Sequence, residues 1–218
     1  RSLDLTRGGI YFFNNIPALV IDSFRTATGT AKLKALPHAG WVLLQDLKKM
    51  KRWSNGTQRT EPVFNYLAVD SAERLQQFHD ESKSSILAAV DIETTGRGRS
   101  CLITCIGFAL LQPDGRVLSR TVPFIQQTPN GNSPWAPITG YDRTVNLVRE
   151  VLASDTVKVL QNGTYDAHHL LRYKLPIRNY LFDTANAFHA LWPEAPKRLD
   201  FISSIACDRY RFWKDENK

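Results

Sequence analysis

A short apolar run, Ile86 to Val90, ends in Asp91-Ile92-Glu93-Thr94-Thr95-Gly96. Runs of this length closed by a turn sequence read as buried strands. The two-residue period of a strand then puts Asp91 and Glu93 on one face. Adjacent carboxylates repel each other and are costly to desolvate. A strand that ends in such a pair offers it to a cation, holds a raised pKa, or reaches solvent with its last turn.

The rest of the chain must supply a core around that strand. With 218 residues, 43% of them hydrophobic, it has enough apolar material for one domain or two small ones. The formal charge is +7, with the surplus in the stretches Lys32 to Arg59 and Arg172 to Arg211. This balance suits a polyanionic partner, nucleic acid first, or a basic solvated surface. Cys101, Cys105 and Cys207 make neither a disulfide framework nor a Cys-x-x-Cys knuckle, so they read as reduced core residues of an intracellular protein, and zinc is not expected. No apolar run approaches the roughly 20 residues that cross a bilayer, and the N-terminus has no signal-peptide pattern. The expectation is a soluble cytoplasmic protein with no membrane partner. The start at Arg1 and the charged end Trp213-Lys214-Asp215-Glu216-Asn217-Lys218 read as a fragment of a longer polypeptide.

Two β-rich runs, Gly8 to Phe13 and Ile16 to Ile21, flank Asn14-Asn15 and predict a hairpin. Between Ala39 and Arg52, Val42, Leu43, Leu47 and Met50 recur at helical spacing while Lys48, Lys49, Lys51 and Arg52 fill the remainder. That predicts a basic amphipathic helix whose charged face either meets phosphates or is solvated. Pro62 to Val69 predicts a strand, and Asp70-Ser71-Ala72-Glu73 starts a helix with an Asp cap.

After Ile86 to Val90, the runs Cys101 to Leu111 and Arg116 to Phe124, joined by Pro113-Asp114-Gly115, predict an antiparallel meander. Gln126 to Gly140 reads as a surface loop, with Trp135 set to cap the core or stack on a base. Asp142 is expected to cap a helix bearing Val145, Val148, Val151 and Leu152. Val157 to Leu160 is a further strand, Ala167 to Tyr173 a helix, Tyr180 to Phe182 a brief strand, Asp183 to Leu191 and Arg198 to Ala206 helices. Three antiparallel strands followed by alternating helices and strands make an α/β fold with a mixed sheet. The expected division is a small α/β segment over residues 1–80 and a main domain over 81–218.

Asn162 falls at the end of one predicted strand and Asp166 at the start of the next helix, where ligands gather in α/β sheets. Asp166 therefore either joins Asp91 and Glu93 in one cleft or caps its helix. Taken together, Asp91-Ile92-Glu93-Thr94-Thr95-Gly96 and Asn162-Gly163-Thr164-Tyr165-Asp166 resemble the first two motifs of DEDD exonucleases in order, spacing and strand context. Phe182-Asp183-Thr184, His189 to Glu194, Pro196 to Phe201 and Phe212 to Glu216 extend the resemblance to the proofreading 3′–5′ exonuclease domain of family A, phage-type DNA polymerases, over roughly residues 85 to 218. The resemblance implies a ribonuclease H-like fold. One part is missing: the family's third motif, Tyr-x-x-x-Asp, supplies a fourth carboxylate and a water-orienting tyrosine. Tyr180 to Asp183 is one residue too short for it and Tyr210 to Asp215 one too long, so the motif is expected beyond Lys218. Residues 8 to 52 carry a fainter resemblance to the C-terminal end of a uracil-DNA glycosylase-like domain. Asp22-Ser23-Phe24 stand where its His-Pro motif would fall, so no glycosylase activity is expected.

The resemblance implies two-metal phosphodiester hydrolysis, with two Mg²⁺ or Mn²⁺ ions about 4 Å apart. Asp91 would bridge the ions, Glu93 would hold the water-activating one, and Asp166 would support the second; hard oxygen donors suit these metals. Asn162 and Tyr165 would position the terminal nucleotide or the motif loop, and Thr94 and Leu102 would hold the 3′ end. His168 and His169, adjacent on a helix, cannot share a face and read as packing or solvent-facing residues, with contact of one of them to substrate as the alternative. The expected partners are single-stranded DNA 3′ ends and a polymerase domain in the same polypeptide. Two rivals remain open: a DEDD ribonuclease acting on RNA ends, and a catalytically incomplete DNA-binding module.

Overall fold

The computed structural model describes residues 7–21, 38–58, 64–96, 98, 100–128, 131–134 and 140–208. Trp135, Asp22 to Phe24 and Phe212 to Glu216 lie outside the described residues. In chain order the elements are β1 (Ile10–Phe13), β2 (Ile16–Leu19), α1 (Ala39–Ser54), β3 (Phe64–Ala68), α2 (Ala72–Ser84), β4 (Leu87–Thr94), β5 (Ile103–Leu111), β6 (Val117–Pro123), β7 (Ile125–Thr128), β8 (Gly131–Pro134), α3 (Tyr141–Ala153), β9 (Val157–Leu160), α4 (Thr164–Arg172), β10 (Tyr180–Asp183), α5 (Thr184–Leu191) and α6 (Leu199–Ala206). They fall into two compact units, residues 1–61 with 185–218, and residues 62–184. Among the described residues no helix is long and apolar enough to cross a membrane.

In the first unit β1 and β2 form the expected hairpin, turning at Asn14 and Asn15 with φ of 49° and 65°. Helix α1 departs from its predicted faces. Ala39, Val42 and Leu43 are buried as apolar spacing requires, but Asp46 and Lys49 are buried with them, while Met50 is half exposed. Lys49 therefore does not belong to a free basic face. Its Nζ donates to the carbonyls of Gly8 at 2.9 Å and Ser204 at 2.5 Å, and burial lowers its pKa to about 8. Asp46 accepts from Arg7 Nη1 at 3.1 and 3.2 Å, and Arg52 pairs with the carboxylate of Asp208 at 2.5 Å. The polar partners lie up to 156 residues away in sequence, so local periodicity carries no trace of them.

Breaking one partner of a buried ion pair leaves the other charge uncompensated, at a cost of about 3–5 kcal/mol. Asp46→Ala should lower stability by about that amount, because Arg7 stays buried. A urea melt followed by tryptophan fluorescence checks it; Trp41 and Trp192 stack in this unit with centroids 4.1 Å apart.

The second unit holds a six-stranded sheet in the order β10-β9-β4-β5-β6-β3. β4, β5 and β6 are the predicted antiparallel meander. β9 is parallel to β4, β10 to β9, and β3 to β6. This is the mixed sheet of an α/β fold, an antiparallel meander flanked by parallel strands. Alternate residues of the central strands, Val90 and Ile92, Ile106 and Phe108, Leu118 and Val122, are buried in one cluster with Phe78 of α2, Val148 and Leu152 of α3, and Leu170 of α4. Phe78 and Phe108 meet at 4.9 Å between centroids.

Several local expectations are corrected. β3, expected within the N-terminal segment, pairs with β6 in the sheet of the unit that spans residues 62–184. Ser71, and not Asp70, caps α2, its Oγ accepting from the Arg74 N–H at 3.3 Å. Asp70 instead pairs with the Arg74 guanidinium at 2.7 Å. The N-cap of α3 is Gly140 at φ 92°, so Asp142 lies within the first turn. The stretch expected as loop after Phe124 contains the paired strands β7 and β8. Asp183 closes β10, and the following helix starts one residue later.

Candidate active site

Strand alternation along β4 turns Val90 and Ile92 into the core and leaves Asp91 and Glu93 exposed on the opposite face. Directly across the ladder, Gly107 faces Asp91 and Cys105 faces Glu93. β9 pairs with β4 along Leu87, Ala88 and Ala89. Three residues further on, the side chain of Asp166 takes the strand's backbone: the Ile92 N–H donates to Asp166 Oδ1 at 3.1 Å. Asp166 stands in the first turn of α4 and is 6% exposed. The third carboxylate is thus bonded to the peptide group that links the first two.

The electrostatics follow from this crowding. Burial, then the charge of Asp91, pushes the Asp166 carboxyl up to about 6. Asp91 opens to solvent on one side, yet partial burial and the neighbouring Glu93 raise it as well. Carboxylates that repel one another in a desolvated recess are stabilised by a divalent cation. Among the described residues no three His, Cys, Asp or Glu side chains converge on one point for a single ion. The carboxylates instead couple in pairs through charge, Asp91 with Glu93 and Asp166 with Asp91, and oxygen donors of this kind suit Mg²⁺ or Mn²⁺.

Of the residues predicted to meet substrate, Thr94 and Tyr165 come together. The Thr94 and Tyr165 hydroxyls lie 3.1 Å apart, and both approach the Gly96 carbonyl, at 2.8 and 3.5 Å. Leu102 is 44% exposed and is fixed beside this turn, its N–H donating to Thr95 Oγ1 at 3.0 Å and its carbonyl accepting from the Thr95 N–H at 2.9 Å. Behind them His169 is buried against the Tyr165 ring, with centroids 4.4 Å apart, and burial lowers its pKa; His168 is exposed. Asn162 occupies the strand-to-helix turn at φ 55°.

Two residues near the site escaped the sequence reading. Asp183 accepts from the N–H groups of Asn162 at 3.1 Å and Gly163 at 2.8 Å, and the Tyr180 hydroxyl donates to the same carboxylate. The signal lay in Phe182-Asp183-Thr184. The resemblance includes that stretch but gives Asp183 no role, whereas its carboxylate engages backbone amides and the Tyr180 hydroxyl.

No protein-family model matches the chain, and no curated protein matches it. Solved structures similar to it include Trypanosoma brucei RNase D in complex with GMP, at 19% identity and a TM-score of 0.44, covering 58% of this chain and 35% of that one. The EXD2 exonuclease domain soaked in Mn and GMP is similar at 20% identity and 0.38, covering 58% of each chain. The POL domain of Pol1 from M. smegmatis, bound to DNA primer-template and dNTP, is similar at 18% identity and 0.44, covering 59% of this chain and 20% of that one. The chain spans less than two thirds of the length of each.

Proposed function

We propose that the chain is a metal-dependent 3′–5′ exonuclease of the DEDD type, hydrolysing terminal phosphodiesters of single-stranded DNA to release 5′-mononucleotides. The observation that carries the reading is the Ile92 N–H to Asp166 bond, which holds a buried carboxylate against the strand that presents Asp91 and Glu93. Asp91 and Glu93 offer one pair of hard donors, and Asp91 and Asp166 a second. When bound, two Mg²⁺ or Mn²⁺ ions supply an activated water and stabilise charge on the departing 3′ oxygen. The linked hydroxyls of Thr94 and Tyr165, with the exposed Leu102 beside them, offer the polar and apolar contacts that a terminal nucleotide requires. Asp183 is not assigned as the fourth carboxylate, since backbone amides and Tyr180 engage it. In this reading the domain proofreads for a polymerase carried by the same polypeptide in the cytoplasm.

The test is a 5′-labelled single-stranded DNA beside an RNA of the same sequence, with Mg²⁺, Mn²⁺ or chelator. The reading predicts a ladder shortening from the 3′ end of the DNA that chelator abolishes. Shortening of the RNA alone would replace it with the ribonuclease. Binding without cleavage in either metal would leave a nucleic-acid-binding module.

A further inference from the structure

Asp183 and Asp166 lie at opposite ends of a single mechanical connection. β9 and β10 end side by side, Leu160 paired with Asp183, and the chain leaves β9 over the end of β10. It turns through Asn162 in a left-handed conformation and enters α4 at Gly163, whose own residue provides no side-chain cap. The leading amides of a helix need an acceptor, and their dipole favours an anion. Asp183 meets both needs from the neighbouring strand, taking the Asn162 and Gly163 N–H groups. Less than one turn later, Asp166 takes the Ile92 N–H. The first turn of α4 is thereby stretched between two anchors.

The fit leaves little slack. A Cβ on Gly163 would stand 2.5 Å from Leu160 Cβ and 2.7 Å from the Tyr180 hydroxyl, so the turn rests directly on β9 and β10. Burial and Asp183 push the Tyr180 phenol up to about 12, which keeps it protonated and donating to Asp183 at any working pH.

We propose that Asp183, held by Tyr180, is a positioning residue for Asp166: it anchors the start of α4 so that the Asp166 carboxylate is delivered to the Ile92 peptide beside Asp91. The catalytic consequence rests on the exonuclease reading; the mechanical one does not.

Two readouts separate this role from ordinary stabilisation. Amide exchange at Ile92, on a different strand, should accelerate about tenfold or more in Asp183→Asn, as the Asp166 bond loosens. The Kd for Mn²⁺, read from the spin resonance of the free ion, should rise about 10–100-fold, with turnover recovering at saturating Mn²⁺. Tyr180→Phe should shift both in the same direction by less, and serves if Asp183→Asn does not fold. Val148→Ala, a core change in the same unit, controls for general destabilisation and should leave the Mn²⁺ Kd unmoved. Ile92 exchange and Mn²⁺ affinity no different from the control would overturn the proposal. A wild-type protein that neither cleaves nor binds Mn²⁺ would defeat the exonuclease reading, and Ile92 exchange would still decide the positioning role.

Discussion

Asp166→Asn is expected to make the metal-free protein more stable at pH 7.5 while lowering its activity. In the folded chain the Asp166 carboxyl titrates at about 6, above the roughly 3.9 of an unfolded aspartate. Between those values the folded state keeps a proton that the unfolded state has lost, so stability falls as pH rises through the window. Above about pH 6 the full cost of the ionised group, about 3 kcal/mol, is present. The Asn carbonyl still accepts from Ile92 and carries no charge. In chelator at pH 7.5 the variant should therefore melt several degrees above the wild type. The difference should narrow to about 0.5 kcal/mol near pH 4, where the wild-type group is protonated in the folded state and about half protonated in the unfolded one. Mn²⁺ should raise the melting temperature of the wild type more than that of the variant. Calorimetry across pH 4 to 8 checks the sign; a variant less stable at every pH would mean that Asp166 is not a destabilising buried carboxylate.

The parts of the fold that were legible in the sequence are those decided by neighbours along the chain. β4 alternates because Val90 and Ile92 need the core and Asp91 and Glu93 do not, and the meander follows from three such runs joined by turn residues. What escaped depends on distant partners. Lys49 sits on the buried face of α1 because carbonyls at Gly8 and Ser204 receive it. β3 joins the second unit through its ladder with β6, a pairing that residues 62 to 69 do not announce on their own. At the site, the face shared by Asp91 and Glu93 could be read from period two. The bond from Ile92 to Asp166 spans 74 residues, and the strand-end to helix-start placement left open whether Asp166 joins the cleft or caps its helix; the motif resemblance favoured the cleft. Asp183 was passed over because a carboxylate that binds backbone amides leaves no spacing rule for its partners.

Asp91→Ala is expected to have the largest effect on activity. Asp91 is the carboxylate common to both donor pairs, and its charge reaches Asp166 as well as standing beside Glu93. Removing it takes a ligand from both proposed ions, whereas Glu93→Gln or Asp166→Asn takes one from a single ion. Losses for groups that only support a ligand run about 10–100-fold, so nuclease activity in Asp91→Ala should fall by more than about a hundredfold. The fold should persist, because Asp91 is exposed and the strand's core residues are untouched.

The most direct test of the shared-carboxylate arrangement is the stoichiometry of Mn²⁺ binding, measured by spin resonance on the wild type and the three single variants. The account predicts two ions on the wild type, one on Glu93→Gln, one on Asp166→Asn, and neither on Asp91→Ala. Two ions retained by Asp91→Ala would contradict it.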